Sequence, residues 1–302
     1  MSDLFRHFFV TVTAHCLLPT SYCLLPTSCY IIIMSDSLVQ TVRTDTFEMD
    51  YARIGSGEKP LVVIPGISIK NPLNFANSFS VPYKIFLNDY TLYFFDRKKE
   101  AKPGYTLEQM ADDQVNALKS IGIEKADIFG VSQGGMIAQY MAIRHPQIVN
   151  KLVLGSSTSH AEPLQLETIG KWARLADTHN AQELVDSFLD KCFSEKFLTR
   201  YRRALKAMYE NVSDAEMDRF SIFAHACDFV NTYDNLGKIK SPTLVLGAGK
   251  DLVTTPEASI KIADKLKTEG VPYEFYMYEG YGHAVFDELS DYKKRIFEFL
   301  EK

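Results

Sequence analysis

From residue 38 onward, short apolar runs alternate with longer stretches whose apolar residues recur at helical spacing. Residues 38–54 hold two β-rich runs either side of Thr44-Asp45, and Gly55-Ser56-Gly57 closes them in a turn, which predicts a hairpin. Leu61-Val62-Val63-Ile64, stopped by Pro65-Gly66, predicts a buried strand, and Thr91-Leu92-Tyr93-Phe94-Phe95 predicts another that ends at Asp96. Met110, Val115, Leu118 and Ile121 fall on one face of a helix. Further strands are predicted at residues 126–131, 151–155, 243–247 and 273–277, with helices at 135–143 and 256–267 and a closing helix from Asp287. Apolar strands separated by amphipathic helices predict an α/β protein with a mainly parallel sheet covered on both faces.

The alternation breaks over residues 159–240, which read as helical throughout. Trp172, Leu175, Leu184, Phe188, Phe193, Phe197, Tyr201, Met208 and Phe220 are spaced to make internal faces. Packing alone explains such a stripe. A helical insertion above a sheet edge must still bury its underside against something, so the same residues are candidates for a pocket wall. The expected organisation is a core of residues 34–158 and 241–302 with a helical cap at 159–240. Residues 1–33 look foreign to this fold. Cys16-Leu17-Leu18-Pro19-Thr20-Ser21 recurs as Cys23-Leu24-Leu25-Pro26-Thr27-Ser28, and Met1-Ser2-Asp3 recurs as Met34-Ser35-Asp36. Met34 is the expected physiological start, with 1–33 a non-native or disordered extension. The competing reading is a secretory signal or anchor, for which no clean small-x-small cleavage site follows.

Composition narrows the classes. A net charge of −5 over 302 residues, with no Lys/Arg-dense tract, argues against nucleic acid as a partner. The run Arg97-Lys98-Lys99 reads as a solvated turn after a strand. No stretch reaches the ~18 uninterrupted apolar residues of a membrane span. Cys192 and Cys227 are isolated, and no Cys or His pair has zinc-ligand spacing, so no metal or cofactor is expected. The expected partner is a small-molecule substrate and the expected location cytoplasmic, or secreted if 1–33 is a signal. The oligomeric state is not legible.

Gly130-Val131-Ser132-Gln133-Gly134 places a serine between glycines where the 126–131 strand should meet a helix. Such a turn projects a hydroxyl above the sheet edge. By chance alone, a chain of this length contains G-x-S-x-G roughly one time in ten, so the partners decide. A serine needs an imidazole to take its proton and a carboxylate to orient that imidazole. In open parallel sheets, such groups gather at the carboxyl ends of strands. Asp251 follows the strand at 243–247, and His283 lies in Glu279-Gly280-Tyr281-Gly282-His283 after the next one. The other histidines fit less well. His7 and His15 lie in the extension, and His145 ends the serine helix, where it would cap the last carbonyls. His160, His179 and His225 fall in the cap; His160 or His225 is a candidate substrate contact, with a structural role favoured. The developing oxyanion needs two N–H donors. Gln133 supplies one from the helix start, and Ile67, after Pro65-Gly66, is the candidate for the second. Gly247-Ala248-Gly249-Lys250 lacks the spacing and the hydroxyl residue of a phosphate loop.

With the elbow at Gly130-Val131-Ser132-Gln133-Gly134-Gly135, the acid segment Gly249-Lys250-Asp251 and Gly280-Tyr281-Gly282-His283 before a final helix, residues 38–302 resemble a capped α/β-hydrolase of the serine type. The resemblance implies a sheet of about eight strands, a cap inserted after the strand at 151–155, a Ser132/His283/Asp251 triad and an oxyanion hole from the Ile67 and Gln133 amides. Many relatives have His-Gly where this chain has Pro65-Gly66. Serine at the elbow disfavours the dehalogenases and epoxide hydrolases that resemble this fold but use aspartate. The expected activity is hydrolysis of a small ester, thioester or lactone. Carbon–carbon bond hydrolase and proline iminopeptidase are alternatives on the same triad; a non-catalytic receptor and a cofactor-free peroxidase are alternatives of other kinds.

Overall fold

The computed structural model describes residues 38–302, so the predicted extension at 1–33 and the start at Met34 lie outside the described residues. The opening hairpin forms as predicted from β1 (Val39–Arg43) and β2 (Glu48–Ile54), with Val42 opposite Met49. It joins β3 (Lys59–Ile64), β4 (Tyr90–Lys98), β5 (Ala126–Val131), β6 (Val149–Gly155), β7 (Thr243–Ala248) and β8 (Tyr273–Tyr278). The eight strands run in the order β1-β2-β4-β3-β5-β6-β7-β8. Only β2 runs antiparallel to its neighbours; the pairs from β4 to β8 are all parallel.

The inner strands lack polar alternation because both faces are covered, whereas the edge strand β8 exposes Glu274, Phe275 and Tyr276. Every residue of β5 and β7 is buried. On one face Val62, Ile64, Ile128, Leu152 and Leu154 meet helices α1 (Leu107–Ser120) and α2 (Gln133–Arg144) through Met110, Val115, Leu118, Met136 and Met141. Their strand neighbours Leu61, Val63, Phe129, Val131 and Val153 point the other way, into a second cluster with Tyr292, Ile296 and Phe299. Helix α1 starts at Thr106 because its hydroxyl accepts the Gln109 N–H while the Gln109 side chain accepts the Thr106 N–H.

Between β6 and β7 the chain makes four helices: α3 (Pro163–Asp177), α4 (Ala181–Cys192), α5 (Glu195–Met208) and α6 (Asp214–Ala226). The two ends of this excursion are stitched together. His160 and Asn231 form a β-bridge, and the Thr232 and Tyr233 N–H groups donate to Ser159 O at 2.7 and 3.1 Å. The chain then returns to the core through β7, α7 (Pro256–Thr268) and β8. The predicted closing helix proves to be two pieces, a single turn α8 (Val285–Glu288) and α9 (Ser290–Leu300), broken at Leu289, whose backbone is extended (φ −121°, ψ 126°).

One expectation fails at β4. Arg97-Lys98-Lys99 is not a solvated turn: the strand runs through Lys98, and Arg97 is 4% exposed. The charge is accommodated because the guanidinium finds carbonyl acceptors across the sheet edge, as described below. Among the described residues, no helix is long and apolar enough to cross a membrane.

Candidate active site

Ser132 sits at the junction of β5 and α2 with φ 55° and ψ −124°, a conformation that non-glycine residues adopt only under constraint. The constraint is visible in its neighbours. Its N–H donates to Gly155 O at 2.8 Å, and its carbonyl accepts from the Gly135 and Met136 N–H groups and the Ser157 hydroxyl. At Gly134, a Cβ would stand 1.9 Å from Ile64 O, so only glycine lets the first turn of α2 lie against the end of β3. In the facing loop a Cβ at Gly66 would approach Ser132 Cβ to 3.0 Å, a tight contact that a small shift would have to relieve.

His283 lies in the loop after β8, 4% exposed, with Nδ1 2.8 Å from Asp251 Oδ2. Asp251 is buried beyond the end of β7 and its remaining lone pairs are satisfied. Oδ1 accepts the Val253 and Thr254 N–H groups at 2.7 and 2.9 Å, and Oδ2 also accepts the Thr254 hydroxyl at 2.9 Å. Burial alone would push this carboxyl up; the His283 charge and the hydrogen bonds from His283, Val253 and Thr254 outweigh it and hold the group below its ordinary value. The two loops are tied by Lys250 N–H to Tyr281 O at 2.9 Å. With Nδ1 engaged by a carboxylate, Nε2 is the nitrogen free to exchange a proton.

Ser132, His283 and Ile67 line one cavity of about 270 Å³, so the sequence-predicted serine, imidazole and loop residue meet in one place. Gln133, fully buried, opens α2, and a first-turn amide has no acceptor within its own helix. Core residues Phe75, Phe79, Phe94 and Phe129 form part of the wall. Trp172, Phe188, Phe193 and Met208 of the insertion complete it, so part of the predicted aromatic stripe faces the cavity. Tyr201, Phe197 and Phe220 do not line it.

The remaining histidines lie elsewhere. His145 does not cap its helix with its ring; Nε2 is 2.7 Å from Asp112 Oδ1, because Asp112 is already drawn there by Arg144. His160 pairs with Glu162 at 3.1 Å, His179 with Asp218 at 2.8 Å and His225 with Asp177 at 3.1 Å, and none lines the cavity. Among the described residues no group of three His, Cys, Asp or Glu side chains could hold a metal ion.

Two arrangements escape the sequence pattern. Arg97 Nη2 donates to Pro65 O at 2.7 Å and to Gln133 Oε1 at 2.9 Å, joining the loop that carries Ile67 to the residue after Ser132. Gln133 Nε2 continues the chain to Phe223 O at 2.5 Å in α6. Burial pushes the Arg97 guanidinium down to about 10, with Asp96 opposing, so it stays charged at neutral pH. The second arrangement fastens the insertion to the histidine loop. Ala284 N–H donates to Cys192 O at 2.7 Å, while the Ser194 N–H and hydroxyl donate to the Glu288 carboxylate at 2.7 and 2.6 Å.

Comparison with known proteins agrees with this architecture. Residues 60–288 match the family described as alpha/beta hydrolase fold. The chain is 27% identical over 292 residues to proline iminopeptidase PfmaB of Pestalotiopsis fici, covering 88% of this chain and 100% of that protein. It is 24% identical over 153 residues to 3-oxoadipate enol-lactonase 1 of Acinetobacter baylyi, covering 50% of this chain and 56% of that enzyme. Among solved structures, MGS-M2, an alpha/beta hydrolase enzyme from a Medee basin deep-sea metagenome library, superposes with a TM-score of 0.76 at 18% identity, over 87% of this chain and 98% of that one. The family match spans most of the chain and the sheet has the matching architecture: this protein belongs to the alpha/beta hydrolase fold family.

Proposed function

We propose that the protein is a serine hydrolase of small esters, thioesters or lactones, working through an acyl-enzyme at Ser132. The observation that carries this is the convergence of a strained Ser132 and an Asp251-bonded His283 on one largely apolar cavity. In this reading Ser132 Oγ attacks the carbonyl carbon as its proton passes to His283 Nε2. The Ile67 and Gln133 N–H groups hold the oxyanion, and Asp251 holds the imidazolium. Collapse expels the alcohol, thiol or ring oxygen, which takes the proton from Nε2. Water, deprotonated by the same nitrogen, then attacks the acyl carbon and releases Ser132. The four helices between β6 and β7 act as a cap that shapes the acyl pocket. We place the enzyme in the cytoplasm.

A second reading, proline iminopeptidase, is favoured by the end-to-end similarity to PfmaB. Such a substrate brings an ammonium to the cavity and needs an uncompensated carboxylate there. Asp287, the carboxylate in the lining, stands 3.9 Å from Lys293, which supports the ester reading instead. The test is fluorophosphonate labelling of the wild-type protein and Ser132→Ala, followed by turnover of acyl p-nitrophenyl esters, lactones and proline β-naphthylamide. Labelling and ester turnover that vanish in the variant support the proposal. Equal labelling of both proteins overturns it, and proline amide turnover above ester turnover selects the second reading.

A further inference from the structure

Helix α9 packs on the sheet through Tyr292, Ile296 and Phe299, and the same buried face carries Lys293. Its side chain is 6% exposed and lines the cavity, where an apolar residue would cost nothing to bury. Its Nζ is 3.9 Å from Asp287 Oδ1, too far for a hydrogen bond. Around it stand the rings of Tyr83, Tyr292 and Phe286, with Nζ 5.5, 5.7 and 6.0 Å from their centroids. Asp287 also lines the cavity, and its side chain is 46% accessible. Burial pushes the Lys293 ammonium down and the Asp287 carboxyl up, each only partly offset by the other. Neither group belongs to the triad. The Phe286 ring is within reach of both, 6.0 Å from Lys293 Nζ and 6.4 Å from the His283 ring.

We infer that Asp287 and Lys293 form a headgroup subsite for a neutral group that both accepts and donates hydrogen bonds, a carboxamide or a hydroxyl, carried on the substrate chain away from the scissile carbonyl. The inference rests on the hydrolase reading and adds the substrate class. The pair is opposite in charge and too far apart to satisfy itself. A ligand carbonyl or hydroxyl oxygen accepts from the buried Lys293 while its N–H or O–H donates to the cavity-facing Asp287, so both groups gain a partner. A net charge on the ligand does worse. A carboxylate that reaches Lys293 also meets Asp287, and an ammonium that reaches Asp287 meets Lys293, in surroundings where like charges repel strongly. A plain alkyl end leaves both groups unpaired. Sites built to hydrogen-bond a substrate group discriminate strongly against analogues that lack it.

The test uses p-nitrophenyl esters of successive chain lengths ending in methyl, carboxamide, carboxylate or ammonium. At the chain length that fits, the carboxamide ester should exceed the other three in kcat/KM by about tenfold or more. Lys293→Met should bring the carboxamide-to-methyl ratio close to one. Asp287→Asn removes the compensating charge at an accessible position, and the carboxylate ester should then gain about tenfold on the methyl ester. Turnover of methyl esters with no headgroup preference at any length overturns the subsite while leaving the hydrolase reading intact. A wild-type preference for carboxylate or ammonium, or an Asp287→Asn variant with unchanged ratios, also overturns it. Absence of turnover and of Ser132 labelling would instead sink the hydrolase reading itself.

Discussion

Replacing Arg97 separates stability from transition-state stabilisation. Arg97→Met leaves Pro65 O and Gln133 Oε1 without their shared donor. Each buried acceptor stranded in this way costs about 1–3 kcal/mol, while removing a buried guanidinium returns part of its desolvation penalty. A net loss of about 1–3 kcal/mol follows, which lowers Tm by several degrees in a domain of this size. The larger effect is on catalysis. Pro65 O is two residues before the Ile67 amide, and Gln133 carries the other proposed donor, so both halves of the oxyanion hole lose a common brace. Complete loss of one donor costs about 10²–10³ in kcat. A displaced donor should therefore cost about 10–100-fold in kcat, with KM within about threefold of wild type. Arg97→Lys keeps one charged donor and should recover most of the rate. The assay is steady-state ester hydrolysis below the melting transition of each variant, paired with inhibition by a trifluoromethyl ketone that mimics the tetrahedral intermediate. Its Ki should rise in step with the fall in kcat/KM, while binding of a ground-state amide analogue changes little. A variant with lower Tm and unchanged kcat would refute the brace and reduce Arg97 to a packing role.

Ser132→Gly should abolish fluorophosphonate labelling yet melt at or above wild type. It releases a φ of 55° worth about 1–3 kcal/mol, against about 0.4–1 kcal/mol for the added unfolded-state entropy; a clear drop in Tm would show that the elbow is unstrained. Asp251→Asn should lower kcat by about 10⁴-fold. Because the folded pKa of Asp251 lies below its ordinary 3.8, its contribution to stability is full above that value and disappears as pH falls through the folded one. Wild type should thus lose more stability between pH 7 and pH 3 than Asp251→Asn does, read from urea midpoints; parallel losses would contradict the assignment.

The sheet was legible because burial on both faces removes polar alternation, leaving runs such as 61–64 and 243–247 that only a covered parallel sheet explains. Asp251 and His283 were legible for a related reason: strand ends are the one place where this architecture exposes side chains to a common space. Arg97 was not. Beside Lys98 and Lys99 it reads as a surface charge, and its acceptors are a carbonyl 32 residues away and a side chain 36 residues away. Lys293 hides in the same way within Asp291-Tyr292-Lys293-Lys294-Arg295, where helical spacing names the buried face but not which lysine lies on it. Local pattern fixes which elements form; long-range acceptors decide where an isolated charge can be buried.

The fastening between the insertion and the histidine loop has a consequence for exchange between relatives. Cys192 O closes α4 and Ser194 caps the start of α5, while Ala284 and Glu288 follow the imidazole in its own loop. A foreign set of helices grafted between β6 and β7 would bring a new pocket but strand the Ala284 amide and the Glu288 carboxylate. The loop of His283, the proposed proton carrier, would then lose two of its supports through a change made only to the insertion. A graft that keeps these contacts has to match the insertion to residues 284–288, not to the sheet alone.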